Sequence, residues 1–251
     1  MTTPSVLIPI APGTNRNQEL ADAFELAGAS TAQVPISDLR RGEAKLADHQ
    51  ILALPGGFSY GDALGAGRLL ALDLETWFAD QVREAVLRQM PVIGICNGFQ
   101  ALVRAGLLPG TGAGAATLAA NVPPGFECRW VTLAPEAGSS SPWLADIRGP
   151  LRCPVAHGEG RLAVEDLESI GGRTAFRYVS DDGGSADGRY PINPNGSVDD
   201  IAGLVDSSGW ILGLMPHPED HVLDRHDPLR GRSPGGNCTQ LFAAGVTAVS
   251  A

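Results

Sequence analysis

The chain has 251 residues, with 28 Asp and Glu against 18 Lys and Arg, a formal net charge of −10 and a pI of about 4.9. Apart from Arg40-Arg41 its basic residues are scattered singly, with no Lys/Arg stripe, so nucleic acid and anionic membrane surfaces are poor partners for it. The four cysteines, Cys96, Cys128, Cys153 and Cys238, form no Cys-x-x-Cys pair, which argues against a zinc knuckle and a thioredoxin-like site.

This length suits one large α/β domain or two small ones. No internal repeat and no linker stands out, which favours one domain over residues 1–251. The N-terminus has no basic segment ahead of an apolar core, and no apolar run approaches the ~20 residues of a membrane span. The expectation is a soluble protein of a reducing compartment, the cytoplasm.

Ser5 to Ile10 predicts a buried strand, and Asn17 to Gly28 a helix with Leu20, Ala23, Phe24 and Ala27 on one face and Gly28 as its stop. Ala32 to Pro35 predicts a second strand, Ser37-Asp38 the cap of a short helix, and Gln50 to Leu54 a third strand. Strand, helix, strand at these intervals implies crossovers and a parallel sheet. The third strand ends in Pro55-Gly56-Gly57-Phe58-Ser59-Tyr60-Gly61-Asp62. Three glycines within six residues at a strand's carboxyl end suit either a plain flexible loop or a loop whose N–H groups face a ligand. No Gly-Lys-Ser/Thr follows, so it is not a phosphate loop. Trp77 to Gln89 predicts a helix with Val82, Ala85 and Val86 inward.

Pro91-Val92-Ile93-Gly94-Ile95-Cys96-Asn97-Gly98-Phe99-Gln100 is the centre of the sequence. An uncharged β-branched strand runs into Gly-x-Cys-x-Gly, the spacing of a nucleophile elbow. A helix with Phe99, Leu102 and Val103 inward follows, stopped by Gly106. At that helix N-terminus the thiol is set for nucleophilic work, against the alternative of a buried, inert cysteine.

Residues 107–121 read as loop with a helical turn, Cys128 to Leu133 as strand, and 134–150 as a surface excursion. Leu151 to Val155 and Thr174 to Val179 predict strands. Ile201 to Val205 and Trp210 to Met215 flank a four-residue loop and predict a hairpin. Asn237 to Val246 predicts the last helix. The hairpin leads into Met215-Pro216-His217-Pro218-Glu219-Asp220-His221. His217 and His221 would share a metal only on a helix, which Pro216 and Pro218 oppose. In an extended segment His217 and Glu219 lie on one side, where a carboxylate orients an imidazole.

Gly94-Ile-Cys-Asn-Gly-Phe-Gln100 with Pro216-His-Pro-Glu219 resembles the class I, triad glutamine amidotransferases. More narrowly, Pro55 to Asp62, Ala156-His-Gly-Glu-Gly-Arg161 and Gly213 to Glu219 resemble the glutaminase components of phosphoribosylformylglycinamidine synthases, from about Val6 to the final helix. The resemblance implies a single α/β domain: a mainly parallel open sheet flanked by helices, the elbow after a central strand, and antiparallel hairpin strands in the second half. It implies a glutaminase with Cys96 as nucleophile, forming a thioester, His217 as base and Glu219 as orienter. It places Gly57 or Phe58 and Asn97 at an oxyanion hole, and Gln100 and Gly56 at the glutamine subsite. It gives this chain no metal and no cofactor of its own; ATP binding, magnesium and the ligase step belong to a synthetase partner that takes the ammonia, with or without a small bridging subunit. His157 and Glu159 would order the site or the partner interface. Two departures concern partner contacts: Asp220 stands where the family usually has Arg, and Asn15-Arg16-Asn17 where many relatives place a Cys and an Asp. The competing readings are a cysteine peptidase or hydrolase on a related elbow fold, and a catalytically silent regulatory subunit.

Overall fold

Alternation of apolar strands with one-sided helices organises the first hundred residues. The computed structural model describes residues 3–229, 232 and 235–250. In its first half, β1 (Ser5–Ile10), α1 (Asn17–Leu26), β2 (Ser30–Pro35) and the short α2 (Ile36–Arg40) lead to β3 (Ile51–Leu54); α3 (Arg68–Glu75) and α4 (Ala79–Leu87) precede β4 (Val92–Ile95), and α5 (Asn97–Arg104) follows it. The second half supplies β5 (Ala116–Ala119), β6 (Glu127–Pro135), β7 (Leu151–His157), β8 (Arg161–Val164), β9 (Thr174–Val179), β10 (Ile201–Val205), β11 (Ile211–Leu214) and α6 (Thr239–Thr247).

One nine-stranded sheet runs β2-β1-β3-β4-β11-β10-β9-β6-β7. The strands from β2 to β11 pair parallel, and those from β11 to β7 antiparallel. β3 and β4 are buried at every residue, as continuous apolar runs covered on both faces must be. β11 is the seam between the halves: it pairs parallel with β4 (Leu214 opposite Ile95) and antiparallel with β10 (Leu212 opposite Val205). The predicted hairpin therefore delivers its second strand to the edge of the parallel block, directly beside the elbow strand.

α1 buries Leu20, Ala21, Ala23 and Phe24 and ends at Gly28, whose φ of +94° suits a residue without a Cβ. Phe24 meets Phe242 of α6 edge to face, with centroids 5.1 Å apart; burying one such ring contributes roughly 1.5–3 kcal/mol.

Several local expectations need correction. Val86 is exposed, because α4 turns only Val82 and Ala85 inward. Ser37 and Asp38 lie inside α2 and make no cap hydrogen bond; Pro35 holds the N-cap position. The 107–121 stretch contains β5, which pairs only with β8, and neither strand was legible in the sequence. The 134–150 excursion is anchored inward by Trp143, which is fully buried and donates from Nε1 to the Trp210 carbonyl at 2.9 Å.

Candidate active site

Cys96 is the hinge between β4 and α5. Its backbone holds φ +50° and ψ −103°, outside the regions an L-residue favours. The surroundings enforce this. Its N–H donates to the Leu214 carbonyl at 2.8 Å, extending the β4–β11 ladder by one residue. The flanking glycines let α5 drop onto the sheet: a Cβ on Gly98 would lie 2.2 Å from the Leu54 carbonyl oxygen, and one on Gly94 would lie 2.5 Å from Leu102 Cδ1. Both glycines thus serve close approach, as Gly-x-Cys-x-Gly predicts.

β11 brings the second half. Met215 N–H donates to the Ala202 carbonyl and His217 N–H to the Pro154 carbonyl at 2.8 Å, so the segment after β11 stays tied to the sheet. The turn that follows differs from the extended segment expected. Pro218–His221 forms a single 3-10 turn. It still brings Glu219 back onto the ring: His217 Nδ1 lies 2.7 Å from Glu219 Oε1, and both residues are 2% exposed. His221 faces elsewhere, its Nδ1 bonded to the Arg152 carbonyl and its ring edge-on to Trp130.

Burial opposes a charge on His217, but Glu219 and then Cys96 outweigh it, and the ring's proton affinity is raised well above that of a free imidazole. His217 Nε2 is buried without a hydrogen-bond partner, and the Cys96 Sγ is turned 3.8 Å from the Ala156 carbonyl. Thiol and imidazole are neighbours, since Cys96 contributes to the raised proton affinity of His217, and such catalytic contacts are often long or poorly aligned before substrate is bound. Gly56 lies against both; a Cβ there would be 2.7 Å from His217 Cε1 and 3.5 Å from Cys96 Cβ.

His217, Glu219 and Asp220 bring their ligand atoms within 4.8 Å of one another, the one metal-competent group among the described residues. The 2.7 Å contact commits Nδ1 to Glu219, which suits an orienting pair better than two ligands of one ion. Asp220 is raised from 3.8 to about 6 by burial and by Glu219, with Arg16 opposing from 3.8 Å. Arg16 of the Asn15-Arg16-Asn17 stretch thus pairs with Asp220.

The glycine-rich loop is built rather than slack. Ser59 N–H and Oγ donate to Asn97 Oδ1, and Asn97 Nδ2 donates to Asp62 Oδ1 at 2.8 Å and to Gln100 Oε1 at 3.1 Å. Gln100 Nε2 donates to the Glu159 carbonyl at 2.7 Å. Two expectations change. Gln100 is 4% exposed with both ends of its amide engaged, so it is a strut between α5 and the 157–160 turn rather than a free substrate contact. Phe58 N–H is committed to the Gly13 carbonyl at 3.1 Å, which removes it as an oxyanion donor. The N–H groups of Gly57 and Asn97 have no acceptor among the described residues. Gly57 sits at φ +120° with Asn15 packed where a Cβ would project.

His157 packs beside this site. Asn121 Nδ2 donates to the Gly125 and His157 carbonyls, and its Oδ1 accepts from Gly160 N–H at 2.9 Å. That oxygen can only accept, so His157 Nδ1, 3.2 Å away, carries the proton. Burial and His217 push His157 down to about 4, so it is neutral at pH 7. Glu159 contributes its carbonyl to Gln100, and its carboxylate reaches Arg104 at 3.7 Å. Asn121 carried no expectation from the sequence: a lone Asn in a Gly/Ala/Thr-rich stretch has no pattern to betray it.

Comparison with known proteins first gives a class. The chain belongs to the glutamine amidotransferases: the family model described as a CobB/CobQ-like glutamine amidotransferase domain matches residues 3–247. Within that class the chain is similar to phosphoribosylformylglycinamidine synthase subunit PurQ of Treponema denticola, 43% identical over 98% of this chain and 99% of the relative. The PurQ of Dehalococcoides mccartyi is 43% identical over 98% of both. Among solved structures, a chain of PurLQS from Thermotoga maritima superposes with a TM-score of 0.76 at 31% identity, covering 99% of this chain and 100% of that one. Among the described residues no helix is long and apolar enough to cross a membrane.

Proposed function

We propose that this chain is the glutaminase subunit of a phosphoribosylformylglycinamidine synthase, an enzyme of purine synthesis. The observation that carries the chemistry is the 2.7 Å contact of His217 Nδ1 with Glu219 Oε1, which leaves Nε2 as the ring's working atom beside the Cys96 thiol. The family supplies the amide of glutamine as substrate, and the relatives' name supplies the synthase.

His217 Nε2 takes the Cys96 thiol proton as the sulfur attacks the side-chain carbonyl carbon of glutamine. The carbonyl π electrons move to oxygen, which accepts hydrogen bonds from the Gly57 and Asn97 N–H groups. One such donor is typically worth roughly 3–4 kcal/mol in the transition state. His217 returns the proton to the amide nitrogen, the C–N bond breaks, and ammonia leaves a γ-glutamyl thioester on Cys96. Water, deprotonated by His217, cleaves the thioester to glutamate and restores the thiol. Glu219 holds the ring throughout and balances its charge. Gly56 leaves room for substrate and ring together. The ammonia goes to a synthetase subunit that converts formylglycinamide ribonucleotide to formylglycinamidine ribonucleotide, with ATP and magnesium held by that partner.

The test is glutamate release from glutamine by the purified chain, with and without its synthetase. Release that appears with the partner and vanishes in Cys96→Ala supports the reading. Release that survives Cys96→Ala would sink the mechanism.

A further inference from the structure

A cavity of about 720 Å³ lies between α1 and the Glu219–His226 stretch, with Glu219 but not His217 in its lining. Five carboxylates line it, Glu19, Asp22 and Glu25 from α1 with Glu219 and Asp220, against the single lining arginine Arg225. Arg16 engages Glu19 and Asp220. Among the described residues no cation pairs with Asp22 or Glu25, whose oxygens accept only from Gln18 and Thr31. A separate observation points to an occupant. Glu219 is 2% exposed, and its Oε2 is buried with no hydrogen-bond partner, while Oε1 is spent on His217. A buried carboxylate oxygen left bare is costly, and Glu219 is among the residues that line the cavity, so a donor entering there would offset that cost.

We propose that this cavity receives a lysine- or arginine-bearing segment of the synthetase partner, whose cation reaches towards Glu219 Oε2. The volume far exceeds the ~30 Å³ share of one water, so it suits a side chain better than a bare ion. Leu26 and Val222 supply apolar wall for a methylene stem, and the carboxylates supply the charged end. A donor on Oε2 fixes the plane of the Glu219 carboxylate and, through Oε1, the His217 ring. Docking and the glutaminase site are thereby joined through one side chain. The proposal rests on the two-subunit reading above and adds the surface and the charge that the partner must present.

The experiment compares the dissociation constant of the full-length chain for its synthetase subunit across variants and salt concentrations. Asp22→Lys/Glu25→Lys should weaken association by about tenfold or more and flatten its salt dependence. The milder Asp22→Asn/Glu25→Gln should fall in the same direction. Asp80→Lys/Glu84→Lys on α4 is the equal-charge control and should not, and thermal unfolding checks that each variant folds. Affinity unchanged in both groove variants, or lowered equally by the control, would overturn the docking site alone. Calorimetric magnesium binding lost in the groove variants, with synthetase affinity intact, would overturn it in favour of a metal site. Failure of the wild-type chain to associate with the synthetase at all would overturn the two-subunit reading and the docking site with it.

Discussion

Cys96 is held at φ +50°, ψ −103°, a backbone setting that costs an L-residue of order 1–3 kcal/mol. The strain belongs to the Cβ rather than the sulfur, so two substitutions separate them. Cys96→Ala keeps the strain and loses the thiol; Cys96→Gly loses both. Despite glycine's greater unfolded-state freedom, Cys96→Gly is expected to exceed Cys96→Ala in stability by roughly 1 kcal/mol, with both inactive. Denaturant unfolding of the pair decides this, and a glycine variant less stable than the alanine one would show the elbow to be unstrained. Asp220 makes a pH prediction. Its carboxyl is raised from 3.8 to about 6 by burial and Glu219. Between those values the folded chain binds the proton more tightly than the unfolded chain, so this group's contribution to stability falls as pH rises from about 4 to 6 and stays low above. Asp220→Asn should therefore gain about 1 kcal/mol at pH 8 and nothing at pH 4, a figure reduced for the residue's partial exposure. A gain that is equal at both pH values would refute the assignment.

α5 rides on β3 and β4 through Gly94 and Gly98, and everything the elbow presents depends on that depth. Gly98→Ala would drive a Cβ to 2.2 Å from the Leu54 carbonyl, a backbone atom with nowhere to go. The helix must lift, taking Asn97 N–H and the Ser59–Asn97–Asp62 strut with it. A loss of about 2–3 kcal/mol in stability and a fall of at least about tenfold in kcat are expected; steady-state kinetics on the folded fraction gives the second, and a normal kcat would mean the strut is slack. The elbow was legible in sequence because its glycines, strand and helix are contiguous, and His217–Glu219 because two residues suffice for an orienting pair. Gln100 and Phe58 were not, since their roles turn on partners far along the chain, Glu159 and Gly13. β5 and β8 escaped for a related reason. Each has four residues and, among the described residues, pairs only with the other, with Ala116 opposite Val164 48 positions further along the chain. α3 had signal in Leu70, Ala71 and Leu74, but its N-terminus carries Gly67 at φ +70° in place of a capping side chain.

The whole molecule divides its labour along β11. The site gathers where that strand's carboxyl end meets the elbow: the parallel half supplies Cys96 and Gly57, and the strand itself leads to His217 and Glu219. At its other end Trp210 accepts from Trp143 Nε1, and Ser141 Oγ donates to the neighbouring Gly209 carbonyl. Trp143 also fills the space over Gly245 of α6, where a Cβ would lie 2.2 Å from the indole. An indole this buried anchors the 134–150 segment and α6 to the sheet without touching the chemistry. Trp143→Ala should cost about 3–5 kcal/mol through the cavity and the bare Trp210 carbonyl, lowering the midpoint of thermal unfolding by about 10 °C for a chain of this size. Below the new transition the glutaminase rate should stay within about threefold of the parent, since the loss is one of folded population rather than of site geometry. Calorimetry and glutamate release at 15 °C read the two quantities separately. A rate that collapses at a temperature where the variant is still folded would show that the two ends of β11 are coupled, and that stability and catalysis share one scaffold rather than dividing it.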